Sequence, residues 1–168
     1  LNEALATGGD YAEIYLEETD AGSVLLENGK VETAGRKKTY GAGIRILLKT
    51  ASVYGYTSDL SEKSLVNLAH GLAARFSGSR LFTVKEIEKQ HTKVINKIEE
   101  HLKDVPIEDK IALLRECFVA GSAVDKRVVR IQDAFSDDYK QIEIFSAESE
   151  IGKQFENTEE RGRLVMIA

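Results

Sequence analysis

The residues able to do chemistry in this chain are few and scattered: three histidines, one cysteine, and a glycine-punctuated run that carries Arg45. His70, His91 and His101 stand too far apart for a metal-ligating pair on one helix face, and Glu100-His101 is not followed by a second histidine at H-E-x-x-H spacing. No metal site can be assembled from them and Cys117. His70 lies beside an apolar stripe and reads as a structural residue. Cys117 lies beside another and reads as a packed, inert thiol, because a nucleophilic thiolate needs a nearby base that the sequence does not provide. Gly41 and Gly43 invite a phosphate-loop reading, but position 46 is Ile and no Gly-Lys-Ser/Thr follows, so neither phosphate-binding fingerprint is present. Glycines inside a strand otherwise mark a bulge or the close approach of another backbone. Arg45 is two residues on from Gly43 and shares its face in a regular strand. Its partner is either a carboxylate of a bound ligand or an Asp or Glu of its own domain.

The elements that must hold these residues begin with a hairpin. Asn28-Gly29, between Ser23–Glu27 and Val31–Ala34, supplies the positive φ angles of a two-residue turn. Ala12–Leu16, Ile44–Leu48 and Ser52–Thr57 are further strand-like runs. Asp20-Ala21-Gly22 and Lys49–Ala51 are the expected turns. All these links are shorter than the dozen or so residues of a parallel crossover, so the expected sheet is antiparallel. Leu65, Leu68, Ala69, Leu72, Ala73 and Phe76 form one helical stripe, with Ser58, Asp59 or Ser61 as its cap and Ser77-Gly78 as its end. Leu1–Thr7 reads as the end of a short helix stopped by Gly8-Gly9. Arg80–Lys103 is dense in charge, with isolated Val84, Ile87, Val94, Ile95 and Ile98, and reads as a solvated face or a long connection. Pro106 suits the first turn of a second helix carrying Ile107, Ile111, Leu114 and Phe118, with Gly121 as its stop. Strands return at Val128–Ala134 and Tyr139–Phe145 around a Ser136-Asp137-Asp138 turn, then Ser149–Gly152 turns into a last run to Ala168. The fold class is α+β: antiparallel sheet, one or two, with two amphipathic helices packed on one face.

At 168 residues and 42% hydrophobic content the chain can bury a real core as one domain or two small ones. A net charge of -5 with interleaved signs offers no field for phosphate backbones, which argues against direct nucleic-acid binding. No apolar run approaches the roughly 18 residues of a membrane span, and a single cysteine forms no internal disulfide. Together these point to a reducing, cytoplasmic setting with no membrane partner. Leu1 is not a methionine and no secretion signal follows it, which reads as a trimmed start. The apolar Arg163–Ala168 end reads as a cut inside a longer protein, or as a strand closing the sheet.

Four pieces, in order and at matching spacing, carry a family likeness: Gly8-Gly9-Asp10-Tyr11-Ala12-Glu13, Asn28-Gly29-Lys30-Val31, Gly41-Ala42-Gly43-Ile44-Arg45 and Gly55-Tyr56-Thr57-Ser58-Asp59-Leu60. Lys110-Ile111, Leu113-Leu114, Asp125 and Ile151-Gly152 add to it. In these residues the chain resembles the amino-terminal domain of the TldD/PmbA proteins, once called modulators of DNA gyrase and understood as metallopeptidases. The resemblance implies residues 1–168 as a non-catalytic amino-terminal domain that forms part of a substrate cleft and of a dimer, with a like or unlike family member. It implies a peptide substrate, and zinc held outside this chain, by an H-E-x-x-x-H motif of a carboxy-terminal domain in the TldD-like branch. PmbA-like partners lack that motif, and these residues do not separate the two branches. Under this resemblance Gly41, Gly43 and Arg45 become substrate or interface residues, with the bare glycines admitting a peptide along the strand. A free-standing binding module without peptidase activity is the alternative from a different class.

Overall fold

Asn28 and Gly29, with φ of 48° and 73°, reverse the chain between β1 (Tyr11–Glu27) and β2 (Lys30–Leu48). Both central residues have the positive φ that matches the turn to the twist of its strands. Lys49, at φ 56°, then leads β2 into β3 (Ala51–Thr57), paired antiparallel from Leu48↔Ala51 to Ala42↔Thr57. The computed structural model describes residues 1–91 and 98–168, so Val94 and Ile95 lie outside the described residues. After β3 come α1 (Glu62–Ala73), β4 (Glu86–Lys89), α2 (Ile107–Ser122), β5 (Gln132–Ala147) and β6 (Ile151–Ile167). The strands form one mixed, mostly antiparallel sheet in the order β3-β2-β1-β5-β6-β4, giving an α+β fold.

One pairing departs from the all-antiparallel expectation. Strand β4 runs parallel to β6, from Glu86↔Ile151 to Lys89↔Gln154. Short links exclude parallel pairing only between consecutive strands, and here α2 and β5 intervene. The strand also arises inside the charged stretch expected as a solvated face or connection. Its side chains are exposed, while Lys85 and Gln90 continue the pairing through main-chain bonds to Glu150 and Gln154 of 2.8 Å each.

The chain divides into two compact units. The first comprises Leu1–Glu18, Tyr40–Ile95 and Gln141–Thr158. Its core gathers Leu5, Ala12, Ile44, Ile46, Ala69 and Ala73, with Leu68, Leu72, Phe76 and Val84 packed against them. Side chains such as Leu5, Ile44 and Ile46, 0–1% exposed, each stabilise the fold by about 1.5–3 kcal/mol relative to exposure. Ser61 caps α1 by accepting a 3.3 Å bond from the Ser64 amide. The helix ends at Ala73, before Ser77-Gly78, and Phe76 reaches the core from beyond it. Leu1–Thr7 forms turns rather than a helix. Asn2 holds this segment by bonding the main chain of Val84 in both directions, at 2.8 and 3.0 Å.

The second unit comprises Thr19–Thr39, Asn96–Lys140 and Glu159–Ala168. Val24, Leu26, Leu114 and Phe135 form its core with Leu102, Ile107 and Ile111. Pro106 precedes α2 as its cap, one place earlier than expected. Gly121 lies within the helix, not after it, where a side chain would meet the Met166 sulfur at 2.8 Å. Two turns expected from Asp20-Ala21-Gly22 and Ser136-Asp137-Asp138 do not exist, since β1 and β5 run on through them. The reason is a set of charged groups described below.

Candidate functional site

Gly43 and Arg45 lie on the part of β2 that pairs with β3 on one side and has β1 on the other, and Gly41 stands one residue before that pairing begins. The main-chain groups of the paired part are therefore committed, and an added strand would have to join at the outer edge of β3. The ring of Tyr54 lies over Gly43, where a Cβ would come within 2.6 Å of its hydroxyl. Arg45 pairs with Glu13 at 3.2 Å, and the Tyr11 hydroxyl donates to the same carboxylate at 2.7 Å. Burial, and then the hydrogen bond and negative charge of Glu13, push the Tyr11 phenol above its ordinary pKa. Tyr54 and Tyr56, 62% and 80% exposed, stand on the same face of β3. The arrangement suits binding rather than bond-breaking. It offers exposed rings and an arginine that a ligand carboxylate must win from Glu13.

Sequence reasoning missed a second feature of this unit, a cavity of about 370 Å³ lined by Leu16, Tyr40, Leu60, Ile142, Glu143 and Glu156 among others. Glu143 accepts from Gln154 at 3.2 Å, and Glu156 pairs with Lys89 at 2.6 Å. Its walls come from four strands and the segment before α1, so no local pattern could have signalled it.

In the second unit the residues read as turns meet as a charge cluster. Arg36 binds Asp20 at 3.0 Å and Asp137 at 2.7 Å, and Lys110 binds the other oxygen of Asp137 at 2.8 Å. Gly22 leaves room for them, since a Cβ there would stand 2.6 Å from the Arg36 guanidinium. Burial opposes the Arg36 charge, but the hydrogen bonds and charges of Asp137 and Asp20 outweigh it and hold the guanidinium pKa above its ordinary value. Lys110 and Asp137 are 5% and 3% exposed, so removing either partner strands a buried charge. Asp133, on the same face of β5, is fully buried, and among the described residues neither carboxylate oxygen has a hydrogen-bond partner. Burial pushes its pKa up.

His70 pairs with Glu3 at 2.6 Å and His101 with Glu160 at 2.9 Å. Among the described residues no three His, Cys, Asp or Glu side chains are grouped to hold a metal ion, so the residues present do not fit a zinc site. Cys117 is half-buried in α2. Among the described residues no helix is long and apolar enough to cross a membrane.

The profile of the first domain of the PmbA/TldA metallopeptidases matches residues 12–75, the stretch from β1 through α1 that carries Gly41, Gly43 and Arg45. Over this stretch the chain is similar to the TldD/PmbA proteins. A TldD homolog from Buchnera aphidicola, named a metalloprotease, is 23% identical over 142 residues, which is 84% of this chain and 29% of that protein. Two crystal structures of candidate modulators of DNA gyrase share the fold at 14% identity. The one from Bacteroides thetaiotaomicron has a TM-score of 0.71, over 98% of this chain and 37% of its own. The one from Thermotoga maritima has a TM-score of 0.62, over 93% and 38%. TldE from Thermococcus kodakarensis, at 15% identity, has a TM-score of 0.60 over 98% and 36%. The chain thus spans less than a third of its curated relative and well under half of each of these solved structures.

Proposed function

We propose that the chain is the non-catalytic amino-terminal domain of a TldD/PmbA-like metal-dependent peptidase, with its two amphipathic helices on one sheet face. In this reading it forms one wall of the peptide-substrate cleft and part of a dimer with a like or unlike family member, in the cytoplasm. The observation that carries the reading is the family match from β1 through α1, which covers the glycine-rich strand and its tyrosine-bearing neighbour. Gly41, Gly43 and Arg45, with Tyr54 and Tyr56 beside them, are the substrate or interface face of this proposal. Zinc belongs to the carboxy-terminal domain of the complete protein, and no catalytic step is assigned to any residue of this chain.

Metal analysis by mass spectrometry, on the complete gene product and on this chain side by side, tests the reading. Zinc in the complete product and none in the chain is expected. Zinc bound stoichiometrically by the chain alone would overturn the non-catalytic assignment. Zinc in neither would move the reading to the metal-free partner branch or to a binding module without peptidase activity.

A further inference from the structure

The cavity of about 370 Å³ lies on the opposite side of the sheet from Gly43 and Arg45. Leu16, Tyr40 and Glu143 each stand four residues along a strand from a core residue, Ala12, Ile44 and Ala147, and even spacing puts them on the core face. Gly43 and Arg45 stand at odd spacing from Tyr40 and point the other way. All of the lining residues belong to the first unit, and the volume falls within the roughly 300–1,000 Å³ of small-molecule sites.

The walls have two characters. Tyr40 and Leu60, 59% and 40% exposed, join Leu16 in offering a ring and methyl groups. Glu17, Glu18, Glu143 and Glu156 offer carboxylates, and among the described lining residues no Lys, Arg or His accompanies them. Glu156 is answered by Lys89, and Glu17 and Glu18 have partners of their own. Glu143 differs from these. Its partner among the described residues is the Gln154 amide at 3.2 Å, which satisfies a lone pair but leaves the charge unanswered. An anionic ligand would meet like charge here. A bare metal ion would lack ligands, since among the described residues no three acidic side chains are grouped to hold one. What fits is a cation with an apolar body. We infer that the cavity takes an alkyl guanidinium or ammonium, as carried by an arginine or lysine side chain, with its head on Glu143 and its methylene stem along Leu16, Leu60 and the Tyr40 ring. Long basic side chains divide in this way between a carboxylate and apolar surface, and a tyrosine face adds cation–π attraction. Delivery of the group on a peptide rests on the function proposed above, whereas the chemistry of the cavity is the same for a free amine.

Nuclear magnetic resonance titration of the chain with three probes tests it: the blocked peptide acetyl-Gly-Arg-Gly-amide, the same peptide with norleucine in place of arginine, and agmatine as the free cation. Both cationic probes should shift amide signals around the cavity, with the norleucine peptide at least about tenfold weaker, as expected for loss of a charged hydrogen bond. Glu143→Gln keeps the shape, removes the charge and should weaken both cations about tenfold or more. Tyr40→Ala, at an exposed position, should weaken them about two- to fivefold. Glu150→Gln makes the same charge change at a surface pair with Lys85 and should bind as the parent does. Circular dichroism should be unchanged throughout. Peptide tighter than agmatine supports delivery on a peptide, and agmatine at least as tight supports a free amine in the same site. No binding of either cation, a norleucine peptide equal to the arginine one, or Glu143→Gln equal to Glu150→Gln overturns the inference. The metal analysis does not involve the cavity, so failure here and failure of the peptidase reading are seen separately.

Discussion

Asp133 gives the sharpest prediction of the fold. It is fully buried near the start of β5, and among the described residues no donor reaches its carboxylate. An ionised group left this way costs about 1–3 kcal/mol or more, because the water it gave up is not replaced. Burial raises its folded pKa above the unfolded value of about 3.9. A group shifted in this direction contributes its full stability below the unfolded pKa, where it is protonated in both states. That contribution is lost as the pH rises through the folded pKa, where the folded state must either bind a proton or bury a charge. Asp133→Asn keeps the shape and removes the charge. At pH 7.5 it should therefore stabilise the protein by about 1–3 kcal/mol, or roughly 3–10 °C in Tm for a chain of this size. Below pH 4 the gain should shrink toward zero. Thermal melts followed by circular dichroism, on both proteins across that range, decide the matter. A variant less stable than the parent at pH 7.5, or a difference independent of pH, would show that the carboxylate has a partner and refute the reasoning.

Three further outcomes follow from the same geometry. Asp137→Ala leaves Lys110 buried without its counter-charge and should cost about 3–5 kcal/mol in denaturant unfolding, whereas a loss under about 1 kcal/mol would mean that the cluster is not buried in solution. Gly43→Val forces the Tyr54 ring away and should be destabilising, but much less so in a Tyr54→Ala background. The coupling should lie between about 0.5 and 3 kcal/mol, and strict additivity would show that something other than Tyr54 requires the glycine. Ser61→Ala removes the cap of α1 and should cost about 1 kcal/mol, read by thermal denaturation, with Ser58→Ala as a neutral control.

What was legible in the sequence, and what was not, divides by range. The Asn28-Gly29 hairpin and the helices α1 and α2 depend on neighbours a few residues apart, and each forms where its pattern stands, with Ser61 the cap of α1 among the three candidates. The parallel β4–β6 pair joins residues more than 60 positions apart, and no local pattern encodes it. The turns read at Asp20-Ala21-Gly22 and Ser136-Asp137-Asp138 failed for an instructive reason. Aspartate, glycine and serine favour turns because their side chains compete for the main chain or relax its angles. Here Arg36 and Lys110 claim those carboxylates from residues up to 101 positions away, and Gly22 is bare to clear the guanidinium.

The same logic governs the candidate site. Gly43 reads in the sequence as a bulge or the close approach of another backbone; what lies against it is the side-chain ring of Tyr54 from the next strand, and the carboxylate at Arg45 is Glu13. A peptide bound at this face must therefore meet the tyrosines and compete for Arg45, rather than enter an open slot along β2. Along the paired stretch of β2, main-chain addition of a strand is left to the outer edge of β3.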